Sequence, residues 1–116
     1  DAADARRLLG RPCLVSRSCH DERSLAEAED EGLDFVTLSP VHASPGKGEP
    51  LGVARFSSLR RAHPSLHVLA LGGIDATNVD EAKRAGADGV AVIRAVLTAK
   101  DPTAVARALV APFVVE

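Results

Sequence analysis

The apolar residues of this chain fall into short, continuous runs that are separated by segments rich in helix formers. The run Leu69-Ala70-Leu71 leads into Gly72-Gly73-Ile74. A second run, Gly89–Ile93, follows a helix-like segment that starts at Asp75 and ends at Ala85. Because strands of a parallel sheet are buried on both faces, their sequences are apolar without alternation. The pattern therefore predicts a parallel strand–helix–strand unit over residues 68–93.

The rest of the chain repeats this pattern. Strands are also predicted at Cys13–Val15, Phe35–Leu38 and His67–Leu71, helices at Ala2–Leu9, Ser24–Glu31, Val53–Ala62 and Pro102–Val110, and a turn at Arg11-Pro12. Asp21 and Asp101 stand where helix N-caps are expected. Four βα units indicate an α/β fold with a parallel sheet. An open, doubly wound sheet and half of an eight-stranded barrel both fit this order.

The composition excludes several classes of protein. The net charge is −2 and only 3% of the residues are aromatic, so we expect no binding to nucleic acid. No apolar run reaches the roughly 20 residues of a membrane helix, and the first residues do not resemble a signal peptide. Cys13 and Cys19 form no metal or redox motif and fit a reducing, cytoplasmic environment as two inert thiols. The chain has no Met and opens with Asp1, which suggests a processed or partial chain.

Function in both architectures lies at the carboxyl ends of the strands. Ser18 and His20 follow the first predicted strand. Ser18 could donate to a phosphate oxygen, and His20 could act as an acid or base near neutral pH. The alternative is that both residues only cap the helix that follows.

The segment Ser39–Gly52 is much longer than the usual βα connection of about 2–6 residues. It contains Ser44 and Lys47, a hydroxyl and a cation that could hold one phosphate or diphosphate. A flexible, solvated loop with an incidental lysine is the alternative.

The pair Gly72-Gly73 follows a strand and precedes a helix, where glycine allows main-chain N–H groups to approach an anion. A tight βα turn needs glycine even without a ligand, so the pair alone leaves both interpretations open. Arg94 follows the last strand and would add a cation to the same edge, unless it forms a salt bridge at the rim.

No metal site is predicted. The four histidines do not show the spacing of zinc ligands, and no pair of acidic residues stands at the predicted strand ends. We predict that His63 and His67 lie at the surface, flanking Pro64.

Several ordered motifs together resemble the family of thiamine phosphate synthase and the TenI-type thiazole tautomerases. The segment 16–20 is similar to the family's G-x-S-x-H, segment 34–41 to D-Y-x-x-x-G-P-V, segment 44–47 to T-P-T-K, segment 51–52 to the P-L-G-L that opens a helix, segment 70–74 to A-I-G-G-I and segment 87–93 to A-D-G-V-A-V-I. The chain departs from these motifs at Ser16 (usually Gly), Gly46 (usually Thr) and Arg94 (usually Ser).

This resemblance implies strands five to eight of a (β/α)8 TIM barrel, with residues 1–116 as one partial domain. The amino-terminal half, which would carry the Mg2+ ligands of the family, is absent from the sequence. The implied reaction joins an aminopyrimidine methyl diphosphate to a thiazole phosphate, giving thiamine phosphate and pyrophosphate. We expect no turnover by this part alone.

The resemblance also implies roles for individual residues. Ser18 and Lys47 would contact the pyrimidine diphosphate, and the thiazole phosphate pocket would be lined by Ser44, Gly46, Gly73, Ile93 and Arg94. Pro45 is expected among the substrate-binding residues as well. In a TenI-like tautomerase, the first alternative, His20 would be the acid/base. The second alternative is a non-catalytic, phosphate-binding half barrel that pairs with another copy of itself in a homo-oligomer.

Overall fold

The computed structural model describes residues 1–10 and 12–115. The helices are α1 (Ala2–Leu9), α2 (Glu22–Glu29), α3 (Gly52–Ala62), α4 (Val79–Arg84), α5 (Arg94–Leu97) and α6 (Pro102–Val110), with a 3-10 turn at Ala111–Phe113. The strands are β1 (Ser16–Cys19), β2 (Phe35–Leu38), β3 (Val68–Leu71) and β4 (Gly89–Ala91). The order in the described residues is therefore four successive βα units after α1.

The four strands form one parallel sheet in the order β1-β2-β3-β4. A doubly wound sheet reverses its strand order at the point where ligands bind. The described strands show no reversal, so each strand lies beside its neighbour in sequence and their carboxyl ends meet at one edge.

The two faces of the sheet differ in burial because successive side chains of a strand point to opposite faces. Val36, Leu38, Val68 and Ala70 are fully buried and form the core together with Leu25, Phe56, Leu59 and Val79 of the helices. On the other face, Phe35, Thr37, Leu69 and Leu71 are only partly buried. The helices therefore cover one face, and the second face retains exposed apolar surface.

The predicted bounds of β2, α1 and α6 are confirmed, but the first strand was predicted three residues too early. β1 begins at Ser16, and Ser18 lies within the strand instead of after it. The helix predicted to begin at Asp75 begins at Val79, because Asp75 and Asn78 form a hydrogen-bonded turn. The last strand ends at Ala91, and the short α5 that follows was not predicted. The turn expected at Arg11-Pro12 lies partly outside the described residues.

The prediction for His63 was wrong, whereas His67 is exposed as predicted. His63 is only 5% exposed. It lies at the end of α3, where its Nε2 is 2.6 Å from Glu22 Oε1 and its Nδ1 contacts Glu29 Oε1, both on α2. Two carboxylates thus provide hydrogen-bond partners for a histidine that was predicted from the sequence to lie at the surface.

The cysteines are both free in the described chain. Cys19 is completely buried in β1, and burial raises the pKa of its thiol. A raised pKa keeps the thiol protonated, which agrees with an inert role. None of the helices in the described residues has the length and apolar character that crossing a membrane would require.

Candidate functional site

A cleft of about 320 Å³ lies at the carboxyl edge of the sheet. Three segments line it: residues 43–45 and 47 of the β2–α3 loop, residues 71–74 from the last residue of β3 onward, and residues 91–95 from the last residue of β4 onward. Six of the predicted substrate-binding residues are among them, namely Ser44, Pro45, Lys47, Gly73, Ile93 and Arg94. The fold therefore brings residues that are distant in sequence to one concave surface.

Ser44 to Lys47 form a tight turn at the mouth of the cleft. The Lys47 N–H donates to the Ser44 carbonyl at 3.1 Å, and Gly46 has a φ of 76°. Pro at the second position and a positive φ at the third are the features of a type II turn. Gly46 is therefore required by the backbone, and the turn brings Ser44 and Lys47 together at its two ends. Gly46 itself does not line the cleft.

The β2–α3 loop is fixed to the end of β3 by main-chain hydrogen bonds. The N–H groups of Val41 and His42 donate to the carbonyls of Leu71 and Gly72, each at 3.0 Å. These bonds hold one wall of the cleft against the other.

Gly72 and Gly73 are needed because the loop lies directly on them. A Cβ at Gly72 would stand 2.7 Å from Pro40 Cα, and a Cβ at Gly73 would stand 2.7 Å from His42 Cβ. Both residues also have positive φ, at 109° and 64°. The structure thus has a tight turn that needs glycine without a ligand, and close packing of the loop adds a second need that was not predicted. Both glycines also line the cleft, so the anion-binding interpretation stays a prediction.

Asp75 and Asn78 hold the main chain that follows Gly73. The Asn78 side-chain amide donates to the Gly73 carbonyl at 2.8 Å, and its oxygen accepts from the Asp75 N–H at 2.9 Å. Asp75 accepts from the hydroxyl and N–H of Thr77, and the hydroxyl bond is the main reason that the pKa of Asp75 is lowered. Neither residue had been assigned to the site, although an Asp-x-x-Asn at a helix start is a recognisable turn signal.

The charged groups that line the cleft are both cationic. Lys47 and Arg94 are exposed, and neither forms an ion pair with a residue in the ranges 1–10 and 12–115. No carboxylate is found among the lining residues of the described chain. Two free cations, a hydroxyl and a main-chain turn suit an anion such as phosphate. The rim salt bridge considered for Arg94 does not form with any described residue.

Ser18 and His20 do not line the cleft. Ser18 is exposed on β1 and pairs with Thr37 of β2, and His20 follows the last residue of β1. β2 separates them from β3, and neighbouring strands are about 4.8 Å apart. They therefore occupy the same edge of the sheet but a separate part of it.

Ser39 is a polar residue of this edge that the sequence did not single out. It is completely buried, and its carbonyl oxygen and Oγ lie 3.0 and 3.3 Å from His20 Nδ1. The sequence feature that could have identified Ser39 is a serine that directly follows an apolar strand and precedes proline.

A metal ion does not fit the described residues. They contain no group of three or more His, Cys, Asp and Glu side chains placed to hold one. The cations of the cleft would also repel a metal ion. The donors near the cleft suit an anionic ligand instead.

The model of the thiamine monophosphate synthase family (TMP-TENI) matches residues 1–96. The thiamine-phosphate synthase of Methanoculleus marisnigri is 42% identical over 91% of this chain and 51% of its own length. The thiamine-phosphate synthase of Halorhodospira halophila is 41% identical over 94% of this chain and 53% of its own length. The chain thus spans about half the length of these curated relatives.

The solved structure of a thiamine phosphate pyrophosphorylase from Pyrococcus furiosus superimposes with a TM-score of 0.83 at 24% identity. The match covers 97% of this chain and 54% of that one, and at this identity it supports the fold alone. With the family model matching most of its length, the chain belongs to the thiamine monophosphate synthase family.

Proposed function

We propose that the chain forms strands five to eight of a (β/α)8 barrel. The sequential, all-parallel strand order is that of such a barrel. The partly buried face that carries Phe35, Leu69 and Leu71 would be its interior, where packed side chains from further strands are expected. The match to about half of the Pyrococcus furiosus chain supports the same interpretation.

The function that fits best is that of a thiamine phosphate synthase, exercised by the complete barrel. The observation that carries this proposal is the cleft lined by Lys47 and Arg94, in which the lining residues that the structure describes include no carboxylate. Its ligand would be the phosphate of the thiazole or the diphosphate of the pyrimidine. In the reaction, the thiazole nitrogen forms a bond to the pyrimidine methylene carbon while the bond from that carbon to the diphosphate oxygen breaks, and pyrophosphate leaves.

The residues of this chain would act on the phosphate groups. As the carbon–oxygen bond breaks, negative charge develops on the leaving pyrophosphate, and cations and hydrogen-bond donors placed there stabilise it. Ser44 and Lys47 stand at the two ends of one turn, and Arg94 lines the cleft from the segment that follows β4. Ile93 is 67% exposed beside Arg94 and offers apolar contact to a ligand ring.

The family resemblance implies Mg2+, whose ligands we expect outside residues 1–116, since the described residues do not fit a metal ion. We derive no step through the ion. The purified chain is expected to bind phosphorylated ligand but to show no synthase turnover with both substrates. Thiamine phosphate formation by this chain alone would contradict that division of roles.

Calorimetric titration tests the proposed ligand. Thiamine phosphate is expected to bind the chain more tightly than inorganic phosphate, because the thiazole would add contacts to Ile93 and Gly73. Equal affinity for both, or no binding of thiamine phosphate, would contradict the assignment of the cleft.

A TenI-like thiazole tautomerase is the second candidate. It is favoured by the hydrogen bond that holds the ring of the exposed His20. His20→Gln would abolish a tautomerase, which needs an acid/base at this position, and would leave the phosphate affinity of the cleft nearly unchanged.

A phosphate-binding half barrel that pairs with a second copy is the third candidate. In the described sheet, β1 and β4 each pair with one strand only, and open edges favour association. Native mass spectrometry distinguishes this arrangement, since a dimer is expected for it and a monomer contradicts it.

A further inference from the structure

His20 is exposed, yet its main chain and its ring are both held. Its N–H donates to Ser24 Oγ at 3.0 Å, and the same hydroxyl accepts from the Asp21 N–H at 3.2 Å in the capping box of α2. The ring Nδ1 lies 3.0 Å from the Ser39 carbonyl oxygen and 3.3 Å from Ser39 Oγ. These contacts fix the orientation of a ring that is otherwise open to solvent.

The Ser39 carbonyl decides which nitrogen of the ring carries the proton. A carbonyl oxygen only accepts hydrogen bonds, and a buried one needs a donor. Within the described residues, His20 Nδ1 is the donor that reaches it. An unprotonated Nδ1 would instead place two acceptors 3.0 Å apart. The nearby Ser39 hydroxyl does not change this choice, since it can accept from the same N–H.

We propose that Ser39 is a positioning residue whose main-chain carbonyl fixes neutral His20 in the Nδ1–H tautomer and leaves Nε2 as a free acceptor. No described residue forms a hydrogen bond with Nε2. A nitrogen of this kind takes a hydrogen bond or a proton from an N–H, O–H or acidic C–H group of a bound molecule. It does not bind a phosphate oxygen, so His20 and the Lys47–Arg94 pair would recognise different parts of one ligand. That last step rests on the proposed function.

The test is a two-bond 15N–1H correlation spectrum of the imidazole rings in the full chain, recorded at alkaline pH with neutral rings. His20→Gln identifies the His20 signals by their loss. A protonated, pyrrole-like Nδ1 together with a pyridine-like Nε2 is expected. A protonated Nε2, or equal mixing of the two tautomers, would overturn the proposal, and neither outcome depends on ligand binding.

Ser39→Ala separates the carbonyl from the hydroxyl, with Ser58→Ala on the exposed face of α3 as its control. The Nδ1–H tautomer is expected to persist in Ser39→Ala because the carbonyl remains. A change to the Nε2–H tautomer would show that the carbonyl does not fix the ring and would overturn the proposal. Failure of thiamine phosphate to bind contradicts only the proposed function.

Discussion

Asp34 and Asp88 make the same hydrogen bonds at the starts of alternate strands. Each residue directly precedes a strand. Oδ2 of Asp34 accepts from the N–H of Val15, the residue before β1, at 2.7 Å, and Oδ2 of Asp88 accepts from the N–H of Val68, the first residue of β3, at 2.8 Å. Each also pairs with an arginine of the helix before that strand, Arg6 at 2.7 Å and Arg60 at 3.2 Å. The same set of hydrogen bonds therefore joins β1 to β2 and β3 to β4, at the edge of the sheet opposite the cleft.

These hydrogen bonds indicate that Asp88 stabilises the fold and takes no part in ligand binding. Asp88→Ala is expected to lower the free energy of unfolding by about 1–3 kcal/mol, because the Val68 N–H and the Arg60 guanidinium lose a charged acceptor. Asp88→Asn retains an acceptor oxygen and should cost less. Urea denaturation checks both variants, and equal stability of Asp88→Ala and the parent would contradict this role.

Lys47 and Arg94 are expected to contribute similarly to the binding of a phosphorylated ligand. An exposed cation about 4 Å from a unit charge gains about 1 kcal/mol in water. Removal of either cation should therefore weaken affinity about five- to tenfold, and less so at high salt, which screens the interaction. Calorimetry on Lys47→Ala and Arg94→Ala measures this effect.

Lys100→Ala is the matched control, since Lys100 is exposed and lies outside the cleft. An equal loss of affinity in Lys100→Ala would show that only net charge matters and that the cleft is not the site.

Gly72→Ala is expected to destabilise the protein by about 1–3 kcal/mol, as overpacking commonly does. The added Cβ would stand 2.7 Å from Pro40 Cα, and neither the strand end nor the loop can move without breaking main-chain hydrogen bonds. Gly48→Ala is the control because its Cβ would meet no atom within 4 Å and its φ is not positive. Thermal unfolding that shows the same midpoint shift for both variants would contradict this explanation of the glycine pair.

His63 should make stability depend on pH. Burial lowers the pKa of His63, but the hydrogen bonds to Glu29 and Glu22 outweigh it, so the net pKa is raised. The protonated ring can donate to both carboxylates at once, whereas the neutral ring has a single N–H. The stabilisation is therefore complete below the ordinary pKa of about 6.5 and is lost as the pH rises through the raised pKa.

The measurement is the free energy of unfolding between about pH 6 and pH 9, the range in which a raised histidine pKa acts. Stability of the parent is expected to fall through this range more steeply than that of His63→Gln, which retains the other three histidines. If the free energies of unfolding of the two proteins changed in parallel with pH, the ionic contacts of His63 with Glu22 and Glu29 would be contradicted.

The sequence predicted the elements that follow apolar periodicity and missed those that depend on polar contacts. β2 and α6 have the predicted bounds because their apolar runs and the Asp101 cap are local signals. β1 was misplaced because it reads Ser-Arg-Ser-Cys. Arg17 is partly buried and pairs with Glu27 of α2 and with Glu31, which follows that helix. His63 was misjudged for the same reason, since its partners lie on another helix.

For the candidate site too, residues marked by local sequence signals were predicted, whereas contacts between distant elements were not. Ser44, Lys47, Gly73 and Arg94 were found from the positions of strand ends, and the fold brings them to one cleft. The link from Ser39 to His20 could not be found, because it depends on the distance between two neighbouring strands. The Gly-x-Asp pattern at 32–34 and 86–88 was visible in the sequence, and it marks the repeated hydrogen bonds of Asp34 and Asp88 described above.

Mapping of amide chemical shifts during titration with thiamine phosphate tests directly whether the cleft is the phosphate site. The largest changes are expected at Ser44, Gly46 and Lys47 in the turn and at Gly73 and Arg94 across the cleft, with inorganic phosphate perturbing the same amides at higher concentration. Changes confined to other parts of the chain, or no change at saturating ligand, would contradict the assignment of this cleft to phosphate binding.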